Sequence, residues 1–222
     1  MATYDIVTFD CYGTLIDWEE GIGTAFEHAA GLARREAHRA TVVADYAEFE
    51  PQIQAERYRP YREVLALTAE RVARRLGWSG EEGSGRFLPE SLGSWRPFPD
   101  TNEALERISK SGLDLGILSN VDDDLLEQTR RHLPVEFSCI VTAAQVGSYK
   151  PAEGHFREAR RRIGGRRWLH AAQSYFHDVV PARRLGIPVA WVNRKGEKPS
   201  GEARPDYEVP DLAALADLLA GG

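Results

Sequence analysis

The chain has 222 residues, 42% hydrophobic and 28% charged, enough for one substantial core with a sizeable insertion and too ordinary a composition for wholesale disorder. Lys and Arg number 28 against 34 Asp and Glu, and the net charge of -6 offers no general positive surface to hold a polyanion, so nucleic acid is a poor partner. The apolar runs are strand-sized, short of the roughly 20 residues a membrane-spanning helix needs, and no basic stretch followed by an apolar region opens the chain. A cytoplasmic location without membrane contact is therefore expected. Cys11 and Cys139 are too few and too far apart for a disulfide framework or a zinc knuckle, and read as reduced core residues.

Residues 4–9, YDIVTF, form a short apolar run that stops at Asp10 and Gly13, the pattern of a buried strand followed by a turn. From Trp18 to about Trp78 the period becomes helical. Ile22, Phe26, Ala29 and Ala30 share one face, Val42, Tyr46, Phe49 and Ile53 a second, and Val64, Leu65, Thr68, Val72 and Leu76 a third, with Pro51 and Pro60 as punctuation. Residues 79–85 read as an exposed Gly, Ser and Glu loop, and 95–100 as a return linker. After Asp100 helices alternate with strands: helix 101–111, strand 113–118, helix 123–132, strand 139–142, helix 153–163, strand 169–173, helix 180–185, strand 188–192 and helix 211–219. The expected architecture is α/β, a Rossmann-like core with a parallel sheet (residues 1–15 and 96–222) and an inserted all-helical cap (16–95). Ligands of such sheets sit beyond the carboxyl ends of the strands.

Polar residues fall at those strand ends: Asp10 with Thr14, Ser119 with Asn120, Lys150, and Asp178. Any one of them has an ordinary explanation, because Ser, Thr, Asn and Asp cap helices and make Asx-turns, and acids suit the first turn of a helix. Four in register point to a site.

The strings FDCYGTLID at 9–17, ILSN at 117–120, SYKP at 148–151, and Asp178 followed by ARRLGIPVAWVNR resemble, in order and spacing, the four motifs of the haloacid dehalogenase superfamily. The resemblance implies that Asp10 is a nucleophile that forms a covalent ester or acyl phosphate, later hydrolysed by water. Lys150 would hold Asp10 ionised and oriented. Thr14 and Ser119 would bind oxygens of the intermediate above a tight turn at Gly13, and Asn120 would orient substrate or Lys150.

Two residues after the nucleophile, superfamily phosphatases carry an Asp that protonates the leaving alcohol; here Tyr12 stands there. A halide needs no such proton, so the resemblance is to the metal-independent 2-haloacid dehalogenase branch, with a small anionic substrate, no cofactor and, by analogy, a homodimer. Asp178 would then position the hydrolytic water. In a phosphatase, it would instead join Asp10 in holding Mg2+. Two rivals thus stand beside the dehalogenase reading: a magnesium-dependent phosphatase of small phosphate esters, and a non-catalytic binding protein on the same fold.

The sequence departs from that branch at two places. Tyr175 replaces an Asn three residues before Asp178, and Phe156 replaces a Tyr six residues after Lys150. Both are expected to line a less polar substrate pocket, with restoration of Asn and Tyr raising 2-haloacid turnover. The Arg that grips a substrate carboxylate in the branch falls on Arg39 by offset, while alignment of the second cap helix puts Glu50 there; Arg59 and Arg62 are further candidates. Trp18 and Tyr61 are placed where an apolar wall or plain packing is expected, and His177 beside Asp178 reads as a surface group.

Overall fold

A computed structural model describes residues 4–32, 35–78 and 84–221. The elements in chain order are β1 (Ile6–Phe9), α1 (Trp18–Leu32), α2 (Arg39–Glu56), α3 (Tyr61–Arg75), α4 (Phe87–Ser91), α5 (Thr101–Lys110), β2 (Asp114–Ser119) and α6 (Asp123–Arg130). There follow β3 (Cys139–Thr142), α7 (Ala143–Val146), α8 (Gly154–Ile163), β4 (Trp168–Ala172), α9 (Val180–Arg184), β5 (Val189–Val192), β6 (Tyr207–Val209) and α10 (Leu212–Ala220). Of the loop expected at 79–85, residues 79–83 lie outside the described ones; Ser84 and Gly85 open a short 3-10 turn.

One compact unit comprises residues 1–16, 97–120 and 132–222. Its sheet is parallel throughout, in the order β3-β2-β1-β4-β5-β6. The strands are near-continuous apolar runs, as a sheet covered on both faces requires: IVTF, WLHAA and VAWV are buried at every residue. β1 lies between β2 and β4, so the chain crosses to opposite sides of β1, and the end of β1 is the switch point of the sheet. Helix α8 turns His155, Phe156, Ala159 and Ile163 inward and leaves its arginines in solvent. The expected sheet had five strands. β6 escaped because three residues between Pro205 and Pro210 carry too little alternation to register.

The second compact unit comprises residues 17–96 and 121–131, so α6 belongs here, although the sequence pattern groups it with the sheet. Its helices bury the faces the 3.6-residue period marks. Ile22, Phe26, Val42, Ile53, Val64, Leu65 and Val72 are fully buried, and Phe26 meets Phe87 edge-on with ring centroids 5.0 Å apart. Pro51 does not break the chain; it lies inside α2. Buried Tyr46 and Ile53 on either side keep the helix running at the expense of one backbone bond. Pro60 does begin a helix, α3, but has no side chain to cap it. Asp122 caps it instead, its Oδ1 accepting the Tyr61 N–H at 2.8 Å and its Oδ2 the Arg62 N–H at 2.9 Å.

Candidate active site

The site grows from the end of β1. Asp10 continues the sheet by donating its N–H to the Ala171 carbonyl at 3.0 Å, and the chain then folds back on itself. Gly13 sits at a φ of 96°, which an L side chain adopts only under strain, and donates to the Ile16 carbonyl at 2.8 Å. This turn carries Thr14 back over the carboxylate: its hydroxyl donates to Asp10 Oδ2 at 2.9 Å, and Thr14 Oγ1 accepts the Gln173 N–H at 2.9 Å. Thr14 thus spans β1 and the segment after β4 rather than capping a helix.

Lys150 arrives after β3 and α7, and its side chain is buried. Its ammonium donates to Asp10 Oδ1 at 2.9 Å, Asp178 Oδ1 at 2.7 Å and the Leu118 carbonyl at 2.8 Å, which uses all three of its hydrogens. Burial works against that charge, yet Asp10 and Asp178 outweigh it and raise the lysine's pKa above its ordinary value. Burial likewise pushes Asp178 toward the neutral acid, but Lys150 and His170 prevail and hold it well below the usual carboxylate range.

Asn120 serves Lys150. Its Oδ1 accepts the Lys150 N–H at 2.7 Å and its amide donates to the Lys150 carbonyl at 3.1 Å, so of the two roles expected of it, orienting substrate or Lys150, the hydrogen bonds fit the second. The Ser119 hydroxyl is buried with no hydrogen-bond partner, while its carbonyl takes His155 Nε2 at 3.0 Å. Burial and the Lys150 charge pull the His155 pKa down to about 3, which leaves the ring neutral. Tyr12 lies half-buried within the turn, bridged to Ile16.

Asp178 rides on a π-helical turn, Tyr175–Val179, whose start is capped by Ser174 accepting the His177 N–H at 3.1 Å. The Ser174 hydroxyl also meets His177 Nδ1 at 3.1 Å, so His177 is half-buried and engaged rather than a plain surface group. The wide turn sends Tyr175 into the hydrophobic core. Its ring packs edge-on against Trp191 at 5.4 Å, and its hydroxyl donates to the Ala203 carbonyl at 2.7 Å. Phe156, also in that core, sets its ring edge-on against His170 at 5.2 Å. The pocket-lining role expected of Tyr175 and Phe156 is corrected accordingly, and Asn at 175 would lose buried ring contacts rather than restore a polar wall.

Arg39 is corrected as well. Its guanidinium is taken by Glu27 at 2.7 Å and by Glu20, on the neighbouring helix α1. Arg59 is buried against Glu56 and Glu63, and Arg62 pairs with Asp124. Glu50, half-buried on α2, takes the Gln54 amide and the Tyr61 hydroxyl; burial pushes its pKa up to about 7 against the pull of that hydroxyl. Trp18 and Tyr61 both engage Tyr46, the indole with ring centroids 5.6 Å apart and the two hydroxyls 3.1 Å apart.

Sequence reading passed over Thr8, Trp168 and His170, which lie beneath Lys150 and Asp178. Their signal was present: Thr8 and His170 are the lone polar residues of IVTF and WLHAA, and a polar side chain inside a fully buried strand demands a partner.

The parallel sheet presents a lysine-braced carboxylate at its switch point, the place where such α/β sheets bind their ligands. Residues 4–179 match the haloacid dehalogenase-like hydrolases, and the chain belongs to that family. It is 29% identical to (S)-2-haloacid dehalogenase H-109 of Pseudomonas putida, over 99% of both chains. With haloacetate dehalogenase H-2 of a Moraxella strain it shares 25% identity, over 99% of this chain and all of that one. The structure of an L-2-haloacid dehalogenase from Xanthobacter autotrophicus with chloropropionic acid covalently bound superposes with a TM-score of 0.78 at 20% identity, covering 98% of this chain and 99% of that one.

Proposed function

We propose that this hydrolase dehalogenates small 2-haloacids through an ester on Asp10. One Asp10 oxygen attacks C2 of the substrate, the carbon–halogen bond breaks with its electron pair leaving on the halide, and C2 inverts. Water then attacks the Asp10 carbonyl carbon, releasing a 2-hydroxy acid. The observation that carries the reading is the arrangement of three groups: Lys150 holds Asp10 Oδ1, Thr14 holds Oδ2, and no side chain two residues on supplies an acid, because Tyr12 stands there. A fixed, ionised carboxylate beside a cation with no spare hydrogen suits a leaving group that departs without a proton. The reading includes a small anionic substrate, a cytoplasmic setting and, by analogy, a homodimer. Among the described residues no helix is long and apolar enough to cross a membrane.

A phosphatase would need Mg2+ on Asp10 and Asp178, where it would polarise a phosphoryl oxygen. Two carboxylates completed by waters satisfy this cation, and among the described residues no group of three or more His, Cys, Asp or Glu is arranged to hold a metal ion. The deciding assay measures halide and phosphate release over a panel of 2-haloacids and phosphate esters, for wild type and Asp10→Asn, with and without magnesium. Halide release without metal, abolished in Asp10→Asn, is expected. Full halide release by Asp10→Asn overturns the reading. Magnesium-stimulated phosphate release that chelator removes favours the phosphatase, and no release of either ion above the Asp10→Asn background favours a binding protein.

A further inference from the structure

Behind Lys150 lies a series of buried polar groups that the steps above leave idle. His170 of β4 is fully buried and in register with Thr8 of β1. Its Nδ1 lies 2.9 Å from Thr8 Oγ1, its Nε2 2.9 Å from Asp178 Oδ1, and Trp168 Nε1 lies 2.7 Å from Thr8 Oγ1. An indole N–H only donates and an ionised carboxylate only accepts. Trp168 therefore donates to Thr8, and His170 Nε2–H donates to Asp178; with a neutral imidazole the Thr8 hydroxyl completes the series by donating to His170 Nδ1. A neutral imidazole satisfies every partner in the series, and its tautomer is set from behind by Thr8.

Two donors from different elements, Lys150 Nζ and His170 Nε2, converge on the same oxygen of Asp178, Oδ1. Oδ2 is left buried and without a hydrogen-bond partner. A carboxylate held through one oxygen by two donors has the direction of its other oxygen fixed, and a buried oxygen left without a partner gains a hydrogen bond from any donor brought to it.

We propose that His170 is a positioning residue for the hydrolytic step, holding Asp178 through Oδ1 so that Oδ2 is the oxygen that receives the proton of the attacking water. The inference rests on the Asp10 ester of the preceding section. In that step the water oxygen bonds to Asp10 Cγ and one of its protons passes to Asp178 Oδ2. The bond from Cγ to the ester oxygen, the Asp10 oxygen that attacked C2, then breaks, and the departing alkoxide takes the proton from Asp178 as the 2-hydroxy acid; the water oxygen stays on Cγ in its place. The acid formed on Asp10 releases its remaining proton to solvent, and both carboxylates are restored.

The test is rapid-quench halide release with racemic 2-chloropropionate, together with the intact mass of the quenched protein, for wild type, His170→Leu and His170→Gln. In His170→Leu the first-turnover burst of halide should match wild type, the ester should accumulate, and kcat should fall about 10- to 100-fold. His170→Gln, which returns an N–H toward Oδ1, should recover most of that loss without the accumulated ester, a rescue that a purely packing role does not give. If thermal unfolding shows His170→Leu to be unfolded, Thr8→Val takes its place: it strips the hydrogen that sets the tautomer and should give the same accumulation on a few-fold scale. Equal losses in burst and steady state, or no ester accumulation at all, overturn the role of His170. A wild type that forms neither halide nor adduct overturns the ester reading, and this inference with it.

Discussion

In the sheet unit Lys150 leaves 1% of its side chain in solvent while it pairs with two carboxylates. In the helical unit Arg39 also pairs with two carboxylates, Glu20 and Glu27, with 34% of its side chain exposed. The two constellations look alike on paper and differ in what water does to them. Exposed pairs lose little when broken, because solvent replaces the partner, whereas a buried ion whose partner is removed has nothing to replace it. Further arginines of the helical unit pair in the first way: Arg71 with Glu56, Arg75 with Asp45 and Glu48, and Arg62 with Asp124. The sheet unit concentrates its buried charge at one point, and that point is where the chemistry is proposed.

The comparison breaks most visibly at Lys150. Lys150→Met leaves Asp10 and Asp178 buried without their shared cation and should destabilise the protein by about 3–5 kcal/mol near neutral pH, read by urea unfolding. The pH course gives a second check. Asp178, lowered from 3.8, contributes stability that is present above that pH and lost as pH falls toward its folded value. Lys150, raised from 10.5, contributes stability present below that pH and lost as pH climbs through its folded value. Wild type should therefore hold the full contribution of this cluster between pH 3.8 and 10.5 and lose it on either side. Lys150→Met should instead gain stability relative to wild type as acid protonates Asp178.

Glu50 tests the intermediate case, a partly buried carboxyl with hydrogen bonds and no cation. Raised from 4.5 to about 7, it binds its proton more tightly folded than unfolded, so it costs stability progressively as pH rises through that interval. Glu50→Gln should match wild type below pH 4.5 and exceed it at pH 8 by about 1–3 kcal/mol, measured by thermal unfolding at both values. Arg39→Ala is the smallest expected effect, under about 1 kcal/mol and shrinking further at high salt. A large, salt-insensitive loss there would erase the contrast between the units.

How much of this was legible in the sequence follows the same division. Asp10, Thr14, Ser119, Lys150 and Asp178 stood out because each is polar at the end of an apolar run, and the chain order of such runs sets a parallel sheet. The structure joins Asp10, Thr14, Lys150 and Asp178 by direct hydrogen bonds, with the Ser119 carbonyl on His155. Tyr175 and Phe156 misled because their positions were read by offset from a motif. An offset locates the backbone and leaves open which way a side chain points, whether on the π-helical turn of Tyr175 or on α8 with Phe156. Arg39 misled for a different reason: ion pairs such as Arg39 with Glu27 form between helices, and no local pattern encodes which acid a surface arginine will reach. His170 was missed because attention went to strand ends, while its function depends on a partner across the sheet, Thr8, that only register reveals.

The open sheet has one further consequence, for life among other proteins. Any sheet that does not close offers its outer strands as templates on which a foreign strand can be added. At one margin β6 is only three residues long and lies between Pro205 and Pro210, whose missing N–H groups deny a continuing ladder. At the other margin, Arg162 donates to the Ile140 carbonyl of β3 at 2.5 Å and to the Gln145 side chain at 2.9 Å, laying a charged, bulky group along the edge strand. The same six-stranded order that brings Asp10 to its centre thus ends on both sides in features that resist aggregation.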